Sequence, residues 1–530
     1  MISKWSVMTI LMAAASALIG CQNYHSTSNM VPRPGIEPAL MRSGTGGNGA
    51  VSAPAPAPQP SGPDNFRTYD KGWAFDQNGW RYVHIEGSPE VRGRQYGFLV
   101  ADKLKDVKRS MEYLCVQDTG KTLAFFAKVA EILWTPTLEP EYLAEIKAIA
   151  QGAREGGTDI TWQEVLFWNG HEELLDYWWP NAIDTLRYAE EPRAVGTPKD
   201  LSEAKVKIKV NKDHCSAFMA TGSMTADGKI VMAHNSFDNF EWGQFVYVIC
   251  DLLPDQGHRI VMETAPGWIH SGVDFFVTSA GLMGLETTMG GFALYDEKGA
   301  PEFQRIRKAM QYADTLDEAA RYILENDNGG YANAWMIGDT NTNEIMLLED
   351  GLKIDAITKK KDGYFIGYNA PLDPRIRNLE TTNSGYCDTR RHQGGRQVRL
   401  AQLMDYYKGN IDTTVAKKIL ADHYDVYTGT INPCSRTVDS HYDLDPRDYL
   451  SQIGRPEPFR PRGATDGCVG DATLTKEMRF WARYGNSSGI PFDSEAFLKK
   501  NIQWNYLKGY LMDRPARPWT LFQAGEKPEN

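Results

Sequence analysis

A layered α+β fold is what this sequence predicts, helical in its first half and strand-rich in its second. Three observations predict it. Residues 65 to about 180 carry helical apolar spacing with start and stop signals. Residues 190–212 change character and read as an exposed connector. From Cys215 onward, short apolar runs recur at close intervals, the pattern of an antiparallel meander.

The first residues stand apart from this fold. Lys4 supplies a positive start, and Val7 to Gly20 is an apolar run too short to span a bilayer, so residues 1–20 read as a signal peptide. Leu18-Ile19-Gly20-Cys21 resembles a bacterial lipoprotein lipobox. That resemblance implies cleavage before Cys21, lipidation of its thiol, and a protein anchored in the bacterial cell envelope outside the cytoplasm. Residues 21–64 read as a tether, because Ser43 to Pro63 is nearly all Gly, Ala, Ser and Pro and cannot bury a core. Within it, Gly44 to Gly49 matches the dinucleotide pattern GxGxxG but has neither a strand before it nor a helix after it.

The helical first segment, 65–214, begins at Ser88-Pro89, an N-cap followed by proline at the first helical position. Its pattern runs through Tyr96, Leu99 and Leu104 to about Leu114. Further helices are expected at Leu123 to Leu133, Glu139 to Arg154 and Thr161 to Tyr177, with Gly156-Gly157 ending one of them. Gly196-Thr197-Pro198 and the alternating Lys205 to Val210 mark the connector.

The second segment, 215–530, opens with a hairpin whose turn is at Asp227-Gly228. Its first strand starts at Cys215, and its second runs from Lys229 to Ala233 and ends at His234-Asn235. Strands are expected within Phe245–Leu253, Arg259–Glu263, Val273–Ser279, Gly281–Thr288, Ala334–Gly338 and Ile345–Leu348. Thr315 to Glu318 is a capping-box pattern opening a helix to about Leu324. Two more helices fall at Arg396–Tyr407 and Thr413–His423.

Composition narrows the partners. The net charge is −11 with no basic cluster, so nucleic acid is not an expected partner. Cysteines are sparse, at 21, 115, 215, 250, 387, 434 and 468, so this is not a disulfide scaffold, although Cys434 and Cys468 are plausible partners in an exported protein. No CxxC or HExxH motif occurs, so neither a metal nor any other cofactor is expected.

The chemistry centres on His214-Cys215. A thiol freed as a new N-terminus would carry nucleophile and base on one residue, because its α-amine, with an intrinsic pKa of about 7.7 to 8.0, can take the thiol proton. A buried, inert cysteine is the plainer alternative. The family resemblance favours the nucleophile. His214-Cys215-Ser216-Ala217 resembles the cleavage and nucleophile motif of phospholipase B-like proteins, members of the N-terminal nucleophile (Ntn) hydrolase superfamily, and is similar to the related peptidase C45 acyltransferases. Ala233 to Asp238 resembles the loop after the first hairpin, Gly281 to Thr288 the Glu-Thr-Thr strand, and Gly463-Ala464-Thr465-Asp466 a late segment of the same chains. Gly87 to Gly97 resembles the C45 entry helix.

That resemblance implies an αββα sandwich and a precursor cleaved between His214 and Cys215 into two associated chains. It implies a small acylated substrate, an amide or a lysophospholipid. It makes Cys215 nucleophile and base, with Asn235 and Asp238 holding the amine or substrate. Glu286-Thr287 and Asn369 would border the oxyanion, and Arg396 would support the nucleophile electrostatically. The sequence departs from many relatives at Asn235-Ser236-Phe237-Asp238, where they show Asn-x-Asp, and Arg390, Arg391 and Arg399 compete with Arg396. Each supporting residue also has a purely structural alternative: Asn235 and Asn369 as turn residues, Thr287 as an ordinary strand residue, and the arginines on an exposed helix face.

Rival enzyme signals are weaker. Gly485-Asn486-Ser487-Ser488-Gly489 matches GxSxG, but a nucleophile elbow needs a strand before it and a helix after it. The aromatic stretch before it reads as helical, and Pro491 follows. A papain-like pair of Cys215 with His234 or His392 lacks the local motif of that class. The non-enzyme alternative is a tethered envelope binding protein that keeps the shape without the cleavage. Oligomeric state is left open by the sequence.

Overall fold

Alternating aromatic and polar residues build the first strands. In a computed structural model that describes residues 62–197, 215–272, 275–292, 294–382, 385–445 and 459–528, the segment before Ser88 is not helical. It forms β1 (Asp64–Tyr69), β2 (Gly72–Gln77) and β3 (Trp80–Gly87). Asn78-Gly79 makes the tight turn between the last two, with φ of 51° and 93°. The helical expectation for residues 65–87 is therefore corrected: Asn-Gly between alternating aromatics is a hairpin signal. Cys21, His214, the leader and nearly all of the tether lie outside the described residues.

The helices follow at α1 (Pro89–Leu99), α2 (Ala101–Thr119), α3 (Leu123–Trp134), α4 (Pro140–Glu155), α5 (Trp162–Asn169) and α6 (Trp179–Leu186). Ser88 caps α1 by accepting from the Val91 amide. The single helix expected to Leu114 is broken at Val100, whose φ of −113° and ψ of 14° leave the helical range. The buried Arg81 donates to the Leu99 carbonyl at 3.0 Å and satisfies part of that helix end. α1 and α4 approach very closely: a Cβ on Gly97 would lie 2.0 Å from the Ile149 carbonyl oxygen, so only glycine fits.

Cys215 begins β4 (Cys215–Thr221), which pairs antiparallel with β5 (Val231–Asn239). After α7 (Phe240–Gly243) come β6 (Val248–Pro254), β7 (Ile260–Thr264), β8 (Phe275–Thr278) and β9 (Leu282–Thr288). α8 (Glu302–Tyr312) and α9 (Leu316–Leu324) precede β10 (Asn333–Asp339), β11 (Glu344–Asp350), β12 (Asp355–Lys360) and β13 (Gly363–Gly367). Beyond them lie α10 (Pro374–Leu379), α11 (His392–Tyr406), α12 (Thr413–Leu420), β14 (Tyr424–Asp425), β15 (Thr430–Ile431), β16 (Arg462–Ala464), β17 (Asp466–Asp471), β18 (Arg479–Tyr484) and β19 (Thr520–Gln523). Sequence periodicity missed α8 because it buries charged residues: Arg305 meets Asp350 and Asp327, and Arg307 meets Glu145.

These strands make two large sheets. One runs β1-β2-β3-β6-β7-β8-β9-β10-β11-β12, with only β3 and β6 parallel. The other runs β13-β4-β5-β17-β18-β19, with β16 paired to β5. The sheets pack face to face: a Cβ on Gly367 of β13 would come 2.2 Å from the Thr287 methyl of β9. Outside the second sheet, α11 and α12 bury Leu400, Leu403, Ile419 and Leu420 against Phe218, Ala220, Val231 and Ala233. α8 and α9 pack on the first sheet at β8, β10 and β11. The fold is thus mixed α+β, with helices on the outer faces of both sheets.

Two expectations are corrected here. Residues 479–484 before the GxSxG match are strand β18, not helix, because Phe480, Ala482 and Tyr484 are buried at every second position. Cys434 and Cys468 are not bonded: one thiol lies 3.7 Å from an Asp425 oxygen and the other 3.0 Å from a Glu263 oxygen. Among the described residues, no helix is long and apolar enough to cross a membrane.

Candidate functional site

The β4–β5 ladder aims the Cys215 side chain. Cys215 pairs with Ser236, and Ser216 with Asn235. Paired residues of an antiparallel ladder point to the same face, and successive residues alternate. Ala217 and Met219 lie in the core between the sheets, whereas Phe218 and Ala220 meet α11 and α12. Cys215 and Ser236 therefore share the inner face, and Ser216 and Asn235 the outer one.

At the end of that inner face is a small pocket. Cys215, Ser236, Asp238, Trp242, Glu172 and Tyr331 are among the residues that line it. The Cys215 residue is only 2% exposed.

Behind Cys215 is a cluster built on Arg396, whose residue is 0% exposed. Its guanidinium donates to the Cys215 carbonyl, to Ser216 Oγ at 3.3 Å and to Asn369 Oδ1 at 2.7 Å. It also donates to the Tyr368 and His392 carbonyls. A guanidinium only donates, so the Asn369 atom facing it is the oxygen. That same oxygen accepts from the Cys215 backbone N–H at 3.3 Å, while Asn369 Nδ2 donates to the Thr288 carbonyl at 2.9 Å. Asn369 holds this arrangement with a left-handed φ of 66°, a conformation asparagine tolerates better than most residues. Its side chain thus presents an acceptor to the Cys215 nitrogen, and its own N–H donor is taken by the Thr288 carbonyl, not turned toward the pocket as an oxyanion donor would be.

The remaining candidates separate clearly. Thr287 is buried on β9 against Gly367, two residues before Asn369, and supports the floor beneath that residue. Glu286 accepts from the Tyr331 hydroxyl at 3.1 Å. Asn235 is on the other face, where its Nδ2 donates to the Leu420 and Val438 carbonyls at 2.9 and 3.1 Å and its Oδ1 accepts from Ser487 at 2.6 Å. It braces β5 instead of reaching the pocket. Arg399 pairs with Asp422 and Arg390 with Asp388, so Arg396 is the arginine at Cys215. His234 Nδ1 lies 3.4 Å from Ser236 Oγ, and burial pushes its imidazole down to about 3. The His392 ring turns toward Tyr442, at 5.9 Å between centroids.

Sequence reasoning missed Glu172 and His171, which also line the pocket. Glu172 immediately precedes a π-helical turn, Glu173–Trp178, and such turns recur at functional sites. The consecutive acids Glu172-Glu173 inside an apolar helix were the available signal. Burial pushes the Glu172 carboxyl well above the usual carboxylate range, and Asp238, Asp176 and Glu286 raise it further. Burial likewise pushes Asp238 up to about 7, against the opposing pull of Arg462. His171 is neutral, its pKa pushed down to about 3 by burial, and stacks on Trp242 at 5.0 Å. The pocket therefore combines a thiol, aromatic walls and two carboxyls that bind protons more tightly than ordinary ones.

The Asp238 shift predicts a pH-dependent stability. A folded-state pKa near 7 against an ordinary 3.8 means that the folded chain keeps a proton the unfolded chain has released. That stabilisation is complete below pH ~4 and is lost as pH rises through ~7. Asp238→Asn should therefore gain stability over the parent at pH 8, on the order of 2 kcal/mol, and nothing comparable at pH 4. Urea unfolding at the two pH values checks this, and an equal difference at both would show that Asp238 is not a perturbed acid.

Comparison with known proteins follows from this geometry. The phospholipase B family profile matches residues 141–508. An uncharacterized protein of Archaeoglobus fulgidus is 24% identical over 278 residues, covering 51% of this chain and 43% of its own. A protein named phospholipase B from Crotalus adamanteus is 25% identical over 392 residues, 68% of this chain and 66% of its own. Phospholipase B-like 1 of Homo sapiens is 24% identical over 274 residues, 46% of this chain and 45% of its own. The matched regions span less than two thirds of the length of these relatives.

Proposed function

The chain belongs to the phospholipase B family, and from that premise we propose that it is an autoproteolytically activated cysteine hydrolase of the Ntn type, related to the peptidase C45 acyltransferases. Relatives named phospholipase B suggest a hydrolase. The observation that carries the finer reading is the position of Cys215: its nitrogen faces Asn369 Oδ1, its carbonyl is held by Arg396, and it lines the pocket. The pair of facing sheets flanked by helices supports an αββα sandwich.

In this reading the Cys215 thiol attacks the preceding carbonyl; a C–S bond forms as the His214–Cys215 C–N bond breaks and the thiol proton passes to nitrogen, giving a thioester and a free α-amine, and water then hydrolyses that thioester. That amine, oriented by Asn369, then accepts the thiol proton. Thiolate attack on the substrate carbonyl forms a C–S bond as the substrate C–N or C–O bond breaks, and the amine's proton goes to the leaving group. Water hydrolyses the thioester. An amine of intrinsic pKa about 7.7 predicts turnover that rises from mildly acid to neutral pH. The substrate is a small acylated molecule, an amide or a lysophospholipid. The lipobox supports a mature chain anchored through lipidated Cys21 and facing away from the cytoplasm.

Mass analysis of the purified protein tests the reading. The expected products are one chain that begins at a lipidated Cys21 and a second that begins at Cys215. A single uncut chain that turns over neither an acyl-amide nor a lysophospholipid would instead support a non-catalytic binding protein.

A further inference from the structure

Away from the pocket, three side chains from two loops converge on one point. His423 follows α12, and Asp439 and His441 follow β15. Backbone bonds fix them: the Asp439 amide donates to the Asp422 carbonyl at 3.2 Å, and the His441 amide to the Cys434 carbonyl at 3.1 Å. His423 Nε2 and His441 Nε2 lie 3.2 Å apart. Asp439 Oδ2 is 3.2 Å from the first and 3.5 Å from the second. Asp439 and His441 are buried, at 0% and 4% exposure, and His423 keeps an exposed edge.

Both imidazoles can donate to Asp439 Oδ2, at 3.2 and 3.5 Å, but only with their two N–H groups set 3.2 Å apart. Two N–H groups facing each other repel. A single N–H serves one edge well and leaves a ring-nitrogen lone pair facing the carboxylate oxygen. A cation accepts all three lone pairs together. Tetrahedral zinc, with bonds of roughly 2.0–2.2 Å, sets its ligand atoms about 3.3 Å apart, which matches all three edges.

We propose that His423, Asp439 and His441 bind one divalent transition-metal ion, of which zinc best suits two imidazoles and a carboxylate. Neighbouring groups orient the ligands. The Ser488 amide donates to Asp439 Oδ2 at 3.0 Å, and Asp443 Oδ1 lies 4.0 Å from His441 Nδ1. Asp439 Oδ1 is buried without a hydrogen-bond partner among the described residues, which leaves it available to a bound ion or its water. Arg483 is close enough to feel the Asp439 charge, but its guanidinium donates to the Arg517 and Ser487 carbonyls. The ion would clamp the loop after α12 to Gly485–Gly489, the GxSxG match, whose Ser487 holds Asn235 on β5. The site is structural: none of its three ligands lines the Cys215 pocket, although His441 is bridged to Gly463, which pairs with Asp238 of the pocket lining.

The test uses the full chain, purified without a metal-binding tag and dialysed against zinc. Elemental analysis should find about one zinc per chain, and adding zinc to chelator-treated protein should raise its melting temperature. His423→Ala, at the least buried ligand, should stay folded and lose at least about tenfold in zinc affinity, and Asp439→Asn should lose affinity as well. A parent chain that remains zinc-free after dialysis, or a His423→Ala variant that binds zinc as the parent does, would overturn the proposal. Turnover is measured alongside but does not decide it.

Discussion

Cys215→Ala should give a folded, uncut chain whose turnover falls at least about 10⁴-fold. The loss should be total in kind because one atom serves two steps. In the proposed mechanism Sγ attacks the preceding carbonyl to release the α-amine, and the same Sγ then attacks the substrate. Without it the amine stays locked in a peptide bond and the pocket holds no nucleophile. The fold should tolerate the change, because only one sulfur leaves a strand position whose backbone contacts to Ser236, Asn369 and Arg396 remain. Cys215→Ser should separate the steps, since a hydroxyl can still make the acyl shift slowly but is a poorer nucleophile toward substrate. Denaturing electrophoresis reads cleavage, and release of acyl product reads turnover. A Cys215→Ala protein that is still cut, or that still hydrolyses substrate, would rule out the mechanism.

The place of Cys215 at the start of the first hairpin strand was legible because its signals are local: an apolar run before an Asp-Gly turn. Asn369 and Arg396 came from the resemblance, and among four nearby arginines only packing distinguishes one. Arg396 is buried at Cys215, whereas Arg399 and Arg390 find carboxylates of their own. Glu172 was not legible. It reaches the pocket from a helix remote in sequence, and a π turn aligns it in a way that 3.6-residue periodicity does not describe. Asn235 shows the converse limit. Its sequence position beside Asp238 suggests a shared site, yet the pleat sends it to the other face. The His423–Asp439–His441 triangle has no short motif, because its members are joined by a loop and not by a helix repeat.

The second large effect is expected at Arg396. Arg396→Met keeps most of the apolar volume and removes every donor. The Cys215 carbonyl and Asn369 Oδ1 both lose a charged partner inside the fold, and the Tyr368 and His392 carbonyls lose theirs. A buried acceptor left unsatisfied costs about 1–3 kcal/mol, so the summed destabilisation should reach about 3–5 kcal/mol. The catalytic consequence follows separately. Arg396 is not among the pocket-lining residues, so in the proposed mechanism it acts by positioning Asn369 and, through it, the Cys215 nitrogen. Loss of that orientation should slow cleavage and lower kcat by about 10²-fold with little change in KM. Arg396→Lys provides the control: it retains charge but cannot fork between the Cys215 carbonyl and Asn369, so it should recover part of the stability and little of the rate. Urea unfolding reads the first effect, and the cleavage time course with the kcat-against-KM split reads the second. If Arg396→Lys matches the parent in both, the forked contact is not what orients Cys215, and buried charge alone accounts for the residue.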